Sequence, residues 1–268
     1  MAVLPFHLFF LLLSLGLLYS FKSVDSVAFL VFFLPVMGLV YAFRSYARQR
    51  DLARSLERFS LQMAGSMITA LDLKDNYTAQ HSANVAQYSY DIARMYGLGD
   101  KECNLAHLAG LLHDLGKISV PDEILNSRRT LEDDEWAVVQ AHTEAGQKIL
   151  SNMTEFEDLA RIVLHHHERY DGAGYPQGLS DESIPLLSRI VSVADCYSAM
   201  ISARPYSGPR PPEVAMMELR DQRGRQFDPQ VVGAFLEILE KADEAYRTGQ
   251  QIDLDVQFQE VRFLRDIA

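Results

Sequence analysis

Apolar residues follow two rhythms along this chain, and the change between them divides it. Val3–Tyr19 and Val27–Phe43 are apolar runs without a charged residue, joined by the polar link Phe21-Lys22-Ser23-Val24-Asp25-Ser26. Each lies near the lower end of the ~17–25 residues that a helix needs to cross a bilayer, and a helix satisfies its own backbone there. Residues 1–46 are therefore read as a transmembrane hairpin. A cleaved signal peptide competes with that reading, but no positively charged stretch precedes Leu8 and a second apolar run follows at once. Ala47–Leu73 reads as one long linking helix interrupted only by Gly65. Its Leu52, Leu56, Phe59 and Met63 stand at 4-3-4 spacing. That is the seam of a short coiled coil, hence of a homodimer, or equally the apolar face of an ordinary amphipathic helix.

From Asn76 onward a period of about 3.6 residues takes over. Thr78–Tyr96 carries Val85, Ile92 and Ala93 at helical spacing and stops at Gly97, a residue suited to ending helices. Leu105–His113 is a second helix. Thr130 with Asp133 opens a third in the manner of a capping box, running through Trp136, Val139 and His142 to Leu150. Phe156–His167 is a fourth, Asp171–Ile184 a loop rich in Gly and Pro, and Pro185–Ile201 a fifth helix containing Asp195. Pro212–Leu219 and Pro229–Ala245 complete the set, and Ile252–Phe258 alternates like a strand. The expected fold is an all-α bundle.

Charge sharpens this division. Lys22, Arg44, Arg48 and Arg50 against Asp25 give the first fifty residues a net of +3, which leaves −14 for the rest of a chain totalling −11. Arg44, Arg48, Arg50 and Arg54 crowd the exit of the second span, which places that flank on the cytoplasmic side. So acidic a remainder excludes a general nucleic-acid surface, which needs a basic face. It does not exclude a small phosphate substrate, because bound metal ions reverse the local sign. The two cysteines, Cys103 and Cys196, lack metal-type or redox-type spacing and read as reduced core or near-core thiols.

The candidate chemistry centres on Leu111-Leu112-His113-Asp114-Leu115-Gly116-Lys117. Taken alone, the His-Asp pair reads as a helix-end cap. With His81, His142, the His166-His167 pair and Asp195 it becomes a metal constellation, contributed about one position per predicted helix, as a site inside a bundle requires. Five His and two Asp exceed the four ligands of a structural zinc site and suit two ions sharing a carboxylate. Imidazole with carboxylate favours iron, manganese, zinc or nickel over magnesium or calcium. Two such ions activate a water and clamp a phosphate, and Lys117, one turn beyond Asp114, could neutralise charge growing on the phosphoryl oxygens. His165 reads as a supporting or packing residue, His107 as a helix-surface residue and Trp136 as core. Asp171-Gly172-Ala173-Gly174 reads as a tight turn, not a phosphate-cradling loop.

His113-Asp114 with His81 and Asp195 resembles the HD phosphohydrolase superfamily. His166-His167-Glu168-Arg169-Tyr170-Asp171-Gly172-Ala173-Gly174-Tyr175-Pro176 resembles the signature of its HD-GYP subfamily. The likeness runs from about Leu71 to Leu236 and includes Pro121–Asn126, Arg204-Pro205-Tyr206 and Gln226-Phe227-Asp228-Pro229. It implies an HD-type bundle over residues 74–245, with 246–268 as a tail, that hydrolyses cyclic di-GMP to linear pGpG or onward to GMP. It also implies two divalent ions, iron or manganese, sharing a bridging hydroxide. One ion would be held by His81, His113, Asp114 and Asp195, the other by Asp114, His142, His166 and His167. By the same resemblance Asp114 and Lys117 are catalytic, and Lys117, Tyr175 and Arg204 contact substrate. The location implied is a bacterial inner membrane, crossed twice, with the catalytic domain in the cytoplasm.

Three positions depart from the family pattern. Tyr77 replaces the Glu of three-metal members, hence the expectation of two ions. Ser207 stands where a Lys is common, leaving Arg210 as the cation that could substitute. Ser198 replaces a frequent Asp. No ligand is missing, as one would be in degenerate members. The competing expectations are a receptor or scaffold that binds cyclic di-GMP or a diguanylate cyclase without hydrolysis, and a hydrolase of another nucleotide such as cyclic GMP-AMP.

Overall fold

The computed structural model describes residues 33–52, 55, 65–67, 78–127, 129–202 and 208–250. Outside them fall the expected first span, most of the linking helix, Tyr77, Arg204, Ser207 and the strand-like stretch 252–258. The chain divides into two compact units, Met1–Ser55 and Leu56–Ala268. In the first, residues 33–52 are α-helical and expose Leu34, Leu39, Tyr41 and Phe43. Among the described residues no helix is long and apolar enough to cross a membrane, so the expected hairpin gains no support.

The second unit is all-helical among its described residues, with a single isolated backbone bridge between Arg223 and Phe227. Its α-helices are α1 (Thr78–Tyr96), α2 (Asp100–Leu112), α3 (Asp122–Leu125), α4 (Asp133–Gln140), α5 (His142–Leu150), α6 (Glu157–Leu164), α7 (Leu186–Ile201), α8 (Pro212–Asp221), α9 (Pro229–Lys241) and α10 (Glu244–Arg247). Helix α1 is the centre, packed most extensively on α2 and then on α7 and α9. Its buried face alternates small and large residues, with Ala83, Ala86 and Ala93 between Val85, Tyr88 and Ile92. On α2 the facing residues are Ala106, Ala109 and Gly110. Gly110 sets their separation, since a Cβ there would lie 2.6 Å from Ala86 Cα and 2.8 Å from Val85 C.

Tyr88 ties the far end together. Its ring meets Tyr197, Phe235 and Tyr246 at centroid distances of 5.5, 5.3 and 5.2 Å. Its hydroxyl donates to the Tyr246 carbonyl at 2.8 Å, Tyr197 donates to the Arg247 carbonyl at 3.0 Å, and Tyr246 donates to Asp91 at 2.7 Å. Tyr246 and Arg247, expected to begin a tail, are thus latched to the core.

Local chemistry explains where helices begin and end. Helix α1 stops as expected at Gly97, which adopts φ +93° while the Leu98 N–H reaches the Ala93 carbonyl at 3.1 Å. Asp228 caps α9 by accepting from the Gln230 and Val231 amides, and Pro229 follows at the first helical position. Helix α2 starts at Asp100, five residues before the expected Leu105, because Glu102 accepts the Gly99 amide at 3.0 Å and stabilises a polar, mostly exposed first turn. The expected Thr130–Asp133 box is not the one formed. Glu135, held by Arg129, accepts the Glu132 amide at 3.0 Å and starts α4 at Asp133.

The expected helix to Leu150 breaks at Ala141. There the His142 ring takes the Val139 carbonyl and the Thr143 hydroxyl takes the Gln140 carbonyl, both diverted from the helical ladder. Trp136, expected in the core, is 49% exposed because α4 buries none of its residues. His107, expected on a helix surface, is buried with its ring edge-on to Tyr90. Gly110→Ala is expected to destabilise the domain by about 1–3 kcal/mol, the usual cost of overpacking. An unchanged urea midpoint would contradict the backbone contact described at this position.

Candidate metal centre

Seven candidate ligands come from five segments of the bundle. His81 lies in α1, His113 caps the C-terminus of α2 and Asp114 follows it. His142 is the first residue of α5, and Asp195 lies within α7. His166 and His167 sit in the turn after α6, which ends at Leu164 and not at His167 as expected. The ligands therefore cluster at helix ends more than along helix faces.

The helix ends orient the imidazoles. The last carbonyls of a helix have no partner in the ladder, and ring nitrogens take them. His113 Nδ1 lies 2.8 Å from the Gly110 carbonyl, His142 Nδ1 2.6 Å from that of Val139 and His166 Nδ1 2.6 Å from that of Val163. Each acceptor stands three residues before its histidine, so Nδ1 carries the proton and Nε2 presents a lone pair. The Nε2 atoms of all three are buried without a hydrogen-bond partner. Leaving such an atom unsatisfied costs about 1–3 kcal/mol, and three of them converging is what a metal site demands. His81 differs, since its Nδ1 is met at 2.9 Å by the hydroxyl of Ser198 from α7.

These atoms fall into two ligand-competent groups, His81 with His113 and Asp114, and His142 with His166 and His167, each with donor atoms within 4.8 Å of one another. Asp114 faces both. Its Oδ2 lies 3.3 Å from His113 Nε2 and its Oδ1 3.6 Å from His142 Nε2. Asp195 Oδ1 lies 3.2 Å from His81 Nε2 and 3.8 Å from His113 Nε2, which adds it to the first group. Lys117 Nζ donates to Asp114 Oδ2 at 2.6 Å. Gly116 permits the approach of Asp114 to His142. A Cβ at Gly116 would lie 1.8 Å from the His142 carbonyl oxygen and 2.5 Å from the Gly146 nitrogen.

Burial sets the electrostatics. Desolvation lowers His81, His142 and His166, and holds His167 down at about 3. For His113 burial also pulls downward, but the carboxylates of Asp114 and Asp195 outweigh it and leave the ring raised. Burial alone would raise Asp114 and Asp195. Instead His113, Lys117 and His142 hold Asp114 well below the usual carboxylate range, and His81, His113 and His167 do the same for Asp195. Ionised carboxylates beside the lowered, neutral rings of His81, His142, His166 and His167 are the protonation states that divalent metal binding requires.

Beyond His167 the chain forms the loop that carries Tyr175, whose ring lies 5.0 Å from that of His167 at 35°. Glu168 braces this loop. Its buried carboxylate accepts the Gln177 amide at 2.8 Å and the Leu179 amide at 3.0 Å, and His165 Nδ1 lies 3.5 Å away. The Tyr170 and Asp171 amides bond the carbonyls of Gln226 and Arg225, which fastens the loop to the segment before α9. Gly174 lets the turn close, since a Cβ would lie 2.3 Å from the Arg169 nitrogen. A cavity of about 380 Å³ opens beside His167 and Asp195, lined also by Ser192, Met200, Arg210 and Gln226.

All seven expected ligands, Lys117 and Tyr175 are thus brought to one place, and Arg204 lies outside the described residues. Sequence reasoning missed the roles of Glu168, Gly116 and Gln226. A charged residue directly after the His166-His167 pair, and a glycine two residues after Asp114, were the signals available.

The sequence profile of the HD domain family matches residues 65–231. A cyclic di-GMP phosphodiesterase of Thermotoga maritima is 35% identical over 211 residues, 75% of this chain and 57% of that protein. A 3'3'-cGAMP-specific phosphodiesterase of Vibrio cholerae is 34% identical over 189 residues, 70% of this chain and 36% of that protein. The chain spans less than two thirds of either relative. Among solved structures, a cyclic GMP-AMP specific phosphodiesterase of V. cholerae superposes with a TM-score of 0.57 at 20% identity, covering 76% of this chain and 53% of that one, which shows the shared fold.

The shifted histidines make the stability of the metal-free chain depend on pH. A group whose folded pKa lies below its unfolded value stabilises fully above the unfolded value and less as pH falls through the folded one. His81, His142, His166 and His167 have that sign, and His113 has the opposite one. Chelator-treated protein is therefore expected to hold its Tm above about pH 6.5, the ordinary imidazole value, and to lose several degrees toward about pH 5. Equal Tm values at those two pH values would contradict the buried, neutral histidines.

Proposed function

The chain belongs to the HD domain family and carries the HD-GYP signature, and from that premise we propose that it is a metal-dependent phosphodiesterase that hydrolyses cyclic di-GMP. The observation that carries this is a buried carboxylate, Asp114, that turns one oxygen toward His113 and the other toward His142, each in a separate ligand-competent group. His81, His113, Asp114 and Asp195 would hold one divalent ion, iron or manganese, and Asp114, His142, His166 and His167 the other. Such a pair supplies an activated water at neutral pH and charge stabilisation for in-line attack on phosphorus.

The chain's own residues supply binding and orientation. Lys117, partly exposed above Asp114, offers its ammonium to the phosphoryl oxygens. Arg210, on the cavity wall, offers a guanidinium suited to phosphate. Burial pushes the Tyr175 phenol upward, so it stays a neutral ring able to stack on a base. Gln226 provides an amide at the cavity edge. Opening of the cyclic dinucleotide gives linear pGpG, and a second cut gives GMP. The complete ligand set favours catalysis over a scaffold that binds cyclic di-GMP or a diguanylate cyclase. The likeness to a cGAMP-specific relative makes cyclic GMP-AMP the second substrate reading. The apolar runs and arginine flank support attachment to a bacterial inner membrane with the catalytic unit in the cytoplasm, and the 4-3-4 spacing of Leu52, Leu56, Phe59 and Met63 suits a homodimer as well as it suits packing within one chain.

The test is the full chain, loaded anaerobically with iron or manganese, incubated with cyclic di-GMP and followed by chromatography. Appearance of pGpG or GMP is expected, with two ions per chain. Asp114→Asn is expected to lose both metal and at least 100-fold in turnover, at or beyond the upper end of the ~10–100-fold typical of outer-shell changes. Hydrolysis of cyclic GMP-AMP alone would move the assignment to that substrate. Tight binding without turnover by the metal-loaded chain would overturn catalysis in favour of a receptor.

A further inference from the structure

Four of the candidate histidines have a defined partner at Nδ1, but only three are held by backbone. His113, His142 and His166 lean on carbonyls three residues earlier, at helix ends where those carbonyls are available. No side-chain substitution removes such a partner. His81 lies within the first turns of α1, where the helical ladder uses the carbonyls behind it. Its Nδ1 is met from another helix, by Ser198 Oγ at 2.9 Å, and that hydroxyl also lies 3.4 Å from the His81 carbonyl oxygen. A hydroxyl has one proton to donate and two lone pairs to accept with. Accepting from Nδ1–H while donating to the His81 carbonyl uses both functions and leaves Nε2 facing Asp195 Oδ1 at 3.2 Å. Ser198 is fully buried. It stands three residues after Asp195, so both lie on one face of α7.

We propose that Ser198 is a positioning residue for one metal ion only, the ion held by His81, His113, Asp114 and Asp195, and that the other ion does not depend on it. This rests on the metal-binding reading above. One face of α7 supplies a ligand, Asp195, and the hydroxyl that aims a second ligand, His81, from α1. The second group has no counterpart, because His142 and His166 are aimed by main chain and His167 is packed against Tyr175. The two halves of the centre thus differ in one respect, since the first includes a ring, His81, whose Nδ1 meets a replaceable side-chain hydroxyl, whereas the Nδ1 atoms of His142 and His166 in the second meet main-chain carbonyls.

The experiment is a competitive-chelator titration of the full chain with manganese, with bound metal counted by elemental analysis, for wild type, Ser198→Ala, Ser198→Thr and Ser198→Val. Thr keeps the hydroxyl and Val matches its shape without it, so their difference isolates the hydrogen bond from packing even if Ala folds poorly. The expected result is two ions in wild type and Thr, and in Ala and Val one ion at wild-type affinity with the other about 10–100-fold weaker, the usual effect of losing an outer-shell partner. Wild-type affinity for both ions in Ser198→Ala, equal loss in Thr and Val, or parallel weakening of both ions would overturn the proposal. Failure of the wild-type chain to take up any divalent metal would instead overturn the parent assignment.

Discussion

A carboxylate as buried as that of Asp114, with 3% of its side chain exposed, must find compensation at both oxygens, because an isolated buried charge is prohibitively costly. Much of the bundle is arranged around meeting that demand. His113 and Lys117 attend to Oδ2, and His142 stands toward Oδ1. Bringing His142 there requires the turn after α2 to lie directly on α5, which is possible only because Gly116 has no side chain. The same neighbours that keep the carboxylate ionised leave it facing two groups of imidazoles. The arrangement that keeps this carboxylate ionised also places it between the two ligand-competent groups.

The imidazoles are aimed by the ends of helices. A helix terminus leaves carbonyls unsatisfied, and a histidine placed three residues past such a carbonyl caps it with Nδ1 while turning Nε2 inward. That geometry recurs at α2, at the α4–α5 break and at α6. It couples secondary structure to chemistry, since the residue that ends or interrupts the helix is also a candidate ligand. His81 is the exception, and its dependence on Ser198 ties the spacing of α1 and α7 to the geometry of one half of the centre. Downstream, the Glu168 carboxylate holds the Tyr175 loop through two amides, which sets the wall of the cavity beside the metal centre.

The bundle was legible because its helices are amphipathic and well punctuated. Val85, Ile92 and Ala93 lie in the core on the expected face of α1, and Gly97 ends that helix where its freedom of φ suggested. Helix boundaries were less legible where a side chain three residues away competed for, or supplied, a backbone hydrogen bond. The start of α2 depended on Glu102 reaching back to Gly99, and the break at Ala141 on side chains competing for carbonyls. Trp136 and His107 exchanged expected places because burial follows which face of an element meets a neighbour, and a single aromatic residue does not reveal that.

The helical class and the seven candidate ligands could be read from the order of residues alone, because a bundle's hydrophobic period and an excess of His and Asp near core positions are both local, countable properties. That order also set Lys117 and Tyr175 beside that constellation through their spacing within recognisable motifs. The division into two groups sharing Asp114 was already implied by the family resemblance, whereas the packing of the bundle showed which Asp114 oxygen faces which group, and that Ser198 meets His81 while main-chain carbonyls hold three other rings. These depend on distances between segments as much as 117 residues apart, as for His81 and Ser198. Such distances follow from how closely helices approach, at Gly110 and Gly116 above all, and the order of residues along the chain does not encode them one by one.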